Sequence, residues 1–131
     1  MSSKESSFLF LSDLDGTILT SEKKISEKTM RALTDFVAAG NHFAICTGRD
    51  INSARSVYRN LGLKLPGSYV VAYNGGQIYD VDRGETIYRQ GIDRTTVREI
   101  FRIAKEYGVH VHTYNDDFIL TESYDECMDF Y

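Results

Sequence analysis

No stretch of this sequence is apolar for anything like the ~20 residues that a membrane-spanning helix needs, so no membrane is expected as a partner. The opening residues, Met1 to Ser7, are polar and lack the apolar centre of a secretory signal. Cysteine is nearly absent. Cys46 and Cys127 form neither a disulfide framework nor a metal-ligand spacing, and read as free thiols of a reducing, cytoplasmic compartment. Pro66 is the only proline, and no flexible linker, repeat or low-complexity segment interrupts the chain. Basic residues are outnumbered, 15 against 19 acidic, and form no stripe, so no nucleic acid is expected as a partner either. What remains is ample apolar material, 42% of 131 residues, enough for one modest domain or one and a half small ones with a real core.

The apolar residues are patterned. Phe8 to Ser12 reads as a strand apolar on both faces, the signature of the middle of a parallel sheet. Ser26 reads as a helix N-cap with Ile25 and Met30 as a hydrophobic staple, and Leu33 and Val37 carry the stripe on to Gly40. Phe43 to Cys46 is a second strand. Asp50 caps a second helix through Leu61, and Tyr69 to Tyr73 is a third strand. Alternating strands and helices predict a partial doubly wound α/β parallel sheet over residues 1–91. After Gly75-Gly76 the pattern changes: a hairpin over Gln77–Asp80 and Glu85–Arg89, a helix from Asp93 to Gly108, and a hairpin over Val109–Tyr114 and Phe118–Glu122. Helix plus antiparallel hairpin is α+β in style, so residues 92–131 are expected to begin a separate, incomplete unit.

Ligands of open α/β sheets bind beyond the carboxyl ends of the strands, and three polar segments are expected there. Asp13 and Asp15 follow the first strand, two residues apart. Paired anions repel and need a proton or cation between them, and Mg²⁺ takes carboxylate and phosphate oxygens together. Thr47-Gly48-Arg49 follows the second strand, with a hydroxyl for a phosphate oxygen and a guanidinium for an anionic substrate. Asn74-Gly75-Gly76 follows the third. Each short piece alone is also what a loop turning from strand to helix looks like. All three at successive strand ends make a phosphate site the stronger reading.

These residues resemble a known family. Asp13-Leu14-Asp15-Gly16-Thr17-Ile18-Leu19 is similar to the first motif of the haloacid dehalogenase (HAD) superfamily, and Thr47-Gly48-Arg49 to its second. Asn74-Gly75 followed by a hairpin resembles the Cof-type branch, whose members dephosphorylate sugar phosphates and related metabolites, with the start of that branch's cap from Ile92 onward. The resemblance implies a Mg²⁺-dependent phosphatase of small phosphorylated metabolites. Asp13 would accept the phosphoryl group. Asp15 would protonate the leaving oxygen and then activate water, which near neutrality requires its pKa to be shifted upward. Asp13 and Asp15, the latter through its backbone carbonyl, would hold Mg²⁺, and Thr47, Gly48, Arg49 and Asn74 would line the phosphate site.

The family's third motif, a lysine, and its fourth, a Gly-Asp-rich stretch with the remaining metal carboxylate, have no matching position. The expectation is an N-terminal piece of such a hydrolase or a naturally short form, with little turnover on its own. The alternative is a non-catalytic relative that binds phosphate or a partner. A receiver domain also carries paired acids after strand 1, but its phosphate-accepting aspartate ends strand 3, where this chain has Tyr73-Asn74. Strands running 1, 2, 3 in one direction put both helices on one face and leave strand 1 an edge, so self-association through that edge is expected. A monodisperse monomer in sedimentation counts against it. His110 and His112 share a strand face at a spacing that can hold a metal. With no third ligand evident, they read as a solvated or substrate-facing strand.

Overall fold

The computed structural model describes residues 7–130. Three parallel strands, β1 (Leu9–Asp13), β2 (His42–Cys46) and β3 (Ser68–Ala72), lie side by side. The hairpin of β4 (Gln77–Asp80) and β5 (Glu85–Arg89) continues the same sheet antiparallel, giving the order β1-β2-β3-β4-β5. The helices α1 (Glu27–Ala38) and α2 (Ile51–Asn60) connect the parallel strands. Their starts are fixed by side chains that satisfy amides the helix leaves unpaired. Ser26 Oγ accepts the Thr29 N–H at 3.1 Å, and Asp50 Oδ1 accepts those of Asn52 and Ser53 at 2.9 Å each.

One face of the sheet carries the core. Register places Phe43 beside Ser68 and Ile45 beside Val70. Phe43, Ile45 and Val70 pack with Leu33 of α1, Ala54 and Tyr58 of α2, and Leu14, Ile18 and Leu19 from the segment after β1. β3 alternates buried and half-buried residues, as expected when one face is covered more fully than the other.

β1 is the exposed edge expected from the strand order, not the buried middle strand that its apolar composition alone suggests. Among the described residues β1 pairs only with β2, and Leu9, Phe10 and Leu11 are exposed. Apolar side chains state a demand for burial, and a strand with one neighbour cannot meet it. The third strand also stops earlier than its sequence suggests. Tyr73 leaves the extended conformation with φ 52°, followed by Asn74 at φ 54°.

From Gly91 the chain forms a second compact unit, the first ending at Gln90. It contains α3 (Arg94–Tyr107) and the antiparallel pair β6 (His112–Tyr114) and β7 (Ile119–Thr121). Asp93 Oδ1 caps α3 by accepting from Thr95 and Thr96 N–H at 2.9 and 3.0 Å. Gly108, at φ 63°, ends it in the left-handed conformation that glycine adopts without steric cost. No helix among the described residues is long and apolar enough to cross a membrane.

Candidate active site

The tips of β1, β2 and β3 bring the sequence-predicted residues together. At the first tip the chain leaves β1 at Asp13 and reverses through Leu14–Ile18, closed by the Leu19 N–H donating to Leu14 O at 3.0 Å. The reversal turns on Gly16, whose φ of 75° is open to glycine and costly for most other residues. Leu14 is driven into the core, which leaves Asp13 and Asp15 on the exposed side of the turn.

The two acids have different surroundings. Asp13 lies opposite Cys46 in the β1–β2 register. Its carboxylate accepts a long hydrogen bond from Thr17 Oγ1 at 3.4 Å and has no cationic side chain in ion-pair contact among the described residues. The Cys46 thiol, half-buried beside that charge, is pushed above its ordinary pKa by burial and by Asp13. Asp15 is fully engaged. Lys23 Nζ reaches Oδ1 at 2.7 Å, and Arg49 donates to Oδ2 from Nε at 3.1 Å and from its terminal nitrogen at 2.9 Å.

This arrangement corrects two expectations. The repulsion between the acids needs no shared ion, because Lys23 and Arg49 compensate one of them. The Asp15 carboxyl is held below the ordinary carboxylate range, first by the Lys23 contact and then by Arg49, rather than raised toward neutrality. Arg49, expected to fork onto a substrate anion, here closes on Asp15. Lys23 was not among the expected residues. Its signal is weak: one of two adjacent lysines in a polar stretch, placed at φ 58° by a turn in which its N–H donates to Thr20 O.

Arg49→Ala is expected to raise the Asp15 pKa, read from the side-chain carboxyl resonance in an NMR titration. The sign follows from a depressed folded pKa. The stabilisation by these ion pairs is present above the unfolded value of about 3.9 and is lost as pH falls through the folded pKa. Both partners are well exposed, so the stability change itself stays below about 1 kcal/mol. An unchanged titration would mean that Arg49 does not control this carboxylate.

The second and third tips are joined backbone to backbone. Thr47 N–H donates to Val71 O at 2.9 Å, Tyr73 N–H to Arg49 O at 3.0 Å, and Asn74 N–H to Thr47 O at 3.1 Å. Thr47 is buried, and its Oγ1 accepts the Arg49 N–H at 3.2 Å, which leaves the hydroxyl proton to be donated. Gly48 is where the loops crowd: a Cβ there would stand 3.1 Å from Asn74 Oδ1.

The donor set suits a hard divalent cation at one position. Asp13 offers an exposed carboxylate with no competing cation among the described residues, the oxygen ligand that Mg²⁺ prefers. The Asp15 side chain is neutralised already, so its contribution would come from the backbone carbonyl.

A family model of haloacid dehalogenase-like hydrolases matches residues 10–129. Among curated proteins, the chain is 32% identical over 109 residues to a Streptococcus pyogenes protein named "Putative phosphatase", covering 83% of this chain and 40% of the relative. It is 30% identical over 104 residues to the 5-amino-6-(5-phospho-D-ribitylamino)uracil phosphatase of Bacillus subtilis, covering 79% and 37%. Among solved structures, a haloacid dehalogenase-like hydrolase from B. subtilis superposes with a TM-score of 0.79 at 25% identity, over 95% of this chain and 42% of that one. A HAD subclass IIB sugar phosphatase gives a TM-score of 0.65 at 27% identity, over 87% and 43%. The chain thus spans about two-fifths of the length of the relatives it matches.

Proposed function

This chain belongs to the haloacid dehalogenase-like hydrolases, and on that footing we propose that it supplies the phosphoryl-accepting part of a Mg²⁺-dependent phosphohydrolase of small phosphorylated metabolites. The observation that carries the reading is the unequal pair of acids. Asp13 is an exposed carboxylate at the tip of β1, without a cationic partner among the described residues, next to an Asp15 whose charge is already compensated. The names of the relatives support the substrate class: one acts on a phosphorylated ribitylamino-uracil and another is a sugar phosphatase.

In this reading an Asp13 oxygen forms a bond to phosphorus as the bond from phosphorus to the leaving oxygen breaks, and that oxygen takes a proton from Asp15. Water then attacks phosphorus and gives its proton to Asp15, and the bond from phosphorus to Asp13 breaks. Asp15 has to accept a proton in the second half, and the ion pairs that lower its pKa make it a weaker base until they open. The first half requires its contacts with Lys23 and Arg49 to open. The Thr47 hydroxyl donates to a phosphoryl oxygen, and Gly48 leaves room for the group between the loops. Asp13 and the Asp15 backbone carbonyl would hold Mg²⁺, which when bound would neutralise phosphoryl charge, on which phosphoryl transfer chiefly depends.

The experiment is Mg²⁺-dependent capture of fluoroberyllate, a mimic of the aspartyl-phosphate, followed by ¹⁹F NMR on the 131-residue polypeptide. Capture is expected with Mg²⁺ and is lost on chelation, while steady hydrolysis of an aryl phosphate stays near background. Absence of capture would overturn the phosphoryl-accepting role in favour of a non-catalytic binding module.

A further inference from the structure

In the unit that begins at Gly91, His110, Asp125 and Cys127 each present a ligand atom, and these atoms lie within 4.8 Å of one another. Sequence spacing gave no hint of this, because Cys127 is 17 residues from His110. The fold brings them together. The single hydroxyl proton of Thr121, at the end of β7, is shared between Val111 O at 3.0 Å and Ser123 O at 2.8 Å, which returns the chain toward the segment leading into β6. Asp125 then accepts the Cys127 N–H on Oδ1 at 2.9 Å and faces His110 Nδ1 with Oδ2 at 2.7 Å.

We infer that His110 Nδ1, the Asp125 carboxylate and the Cys127 thiolate form a site for a borderline divalent cation of the zinc type. Imidazole, carboxylate and thiolate are the donors Zn²⁺ takes, and three protein ligands leave a fourth position for water. Tetrahedral coordination needs ligand atoms about 3.3–3.8 Å apart, a modest adjustment of side chains that are half-buried or exposed. The outer shell is also present. His110 Nε2 is 3.0 Å from His112 Nδ1, and His112 Nε2 is 3.0 Å from Tyr114 Oη. With the cation on Nδ1, His110 donates from Nε2 to His112, which donates onward to Tyr114. This orients the ligand ring as metal-bound histidines require.

The benefit is structural. Ala104 is the only apolar residue of this unit that is buried among the described residues. A cation that clamps the Asp125–Cys127 turn onto the approach to β6 stabilises a unit with little core of its own. The inference is independent of the Asp13 reading.

The test is titration of the full polypeptide with Co²⁺ alone in a Cys46→Ser background, so that Cys127 is the remaining thiol. A 1:1 complex with a sulfur-to-cobalt charge-transfer band is expected. The band is lost in Cys127→Ser and persists in Asp13→Asn, which separates this site from the first. His110→Gln is expected to weaken binding by more than about 100-fold, since outer-shell partners alone are worth about 10–100-fold. No charge-transfer band with excess Co²⁺, or a band unchanged by Cys127→Ser, would overturn the site.

Discussion

Asp13→Asn is expected to reduce Mg²⁺-dependent capture of fluoroberyllate at least about 100-fold, because the substitution removes a direct ligand whose loss exceeds the 10–100-fold typical of outer-shell partners. Asparagine keeps the shape of the side chain but loses the negative charge, and with it the nucleophilic oxygen. Asp15→Asn provides the contrast. The Asp15 side chain is taken up by Lys23 and Arg49, and the proposed task of Asp15 is proton transfer, which the mimic does not require. Capture in Asp15→Asn is expected to stay within a few-fold of the parent. Equal losses in the two variants would show that the acids act as one anionic patch and would remove Asp13 from its singular role.

Phe43→Ala is expected to cost about 3–5 kcal/mol in urea unfolding, the range for truncating a fully buried aromatic side chain. Phe43 has no exposed surface, belongs to the core formed with Leu33, Ile45 and Val70, and stands 5.9 Å from the ring of Phe10. A domain with a total stability of about 5–15 kcal/mol loses much of it. Phe10→Ala serves as the control. Its ring is 46% exposed at an edge strand, so its loss is expected to fall well below that of Phe43. Comparable losses would mean that the β1 edge is covered in solution.

Local chemistry made most of the fold legible. Ser26, Asp50 and Asp93 each announce a helix start because a short polar side chain before an apolar stripe can bond the free amides, and all three do so. Gly108 ends the third helix for the complementary reason. Composition could not reveal that the hairpin of β4 and β5 extends the parallel sheet rather than standing apart. That depends on pairing between β3 and β4, which local pattern does not encode. The grouping of the site was legible as three polar segments at strand ends, but the sign of the Asp15 shift was not. Two acids in sequence suggest repulsion, and only the folded chain shows Lys23 and Arg49 arriving from 8 and 34 residues away. Long-range approach of the same kind hid Asp125 and Cys127 from any reading of the His110–His112 pair.

Tyr73 and Asn74 sit consecutively at left-handed φ without being glycine, at a cost of roughly 1–2 kcal/mol for Tyr73 and less for Asn74, whose short polar side chain tolerates that region. The amides of both are anchored on the carbonyls of Arg49 and Thr47, so the turn resembles a spring held shut by the loop that it faces. Released from those anchors, the chain would relax into an extended run through Tyr73. The reversal that brings β4 back against β3, with Gln77 opposite Ala72, would be lost with the turn.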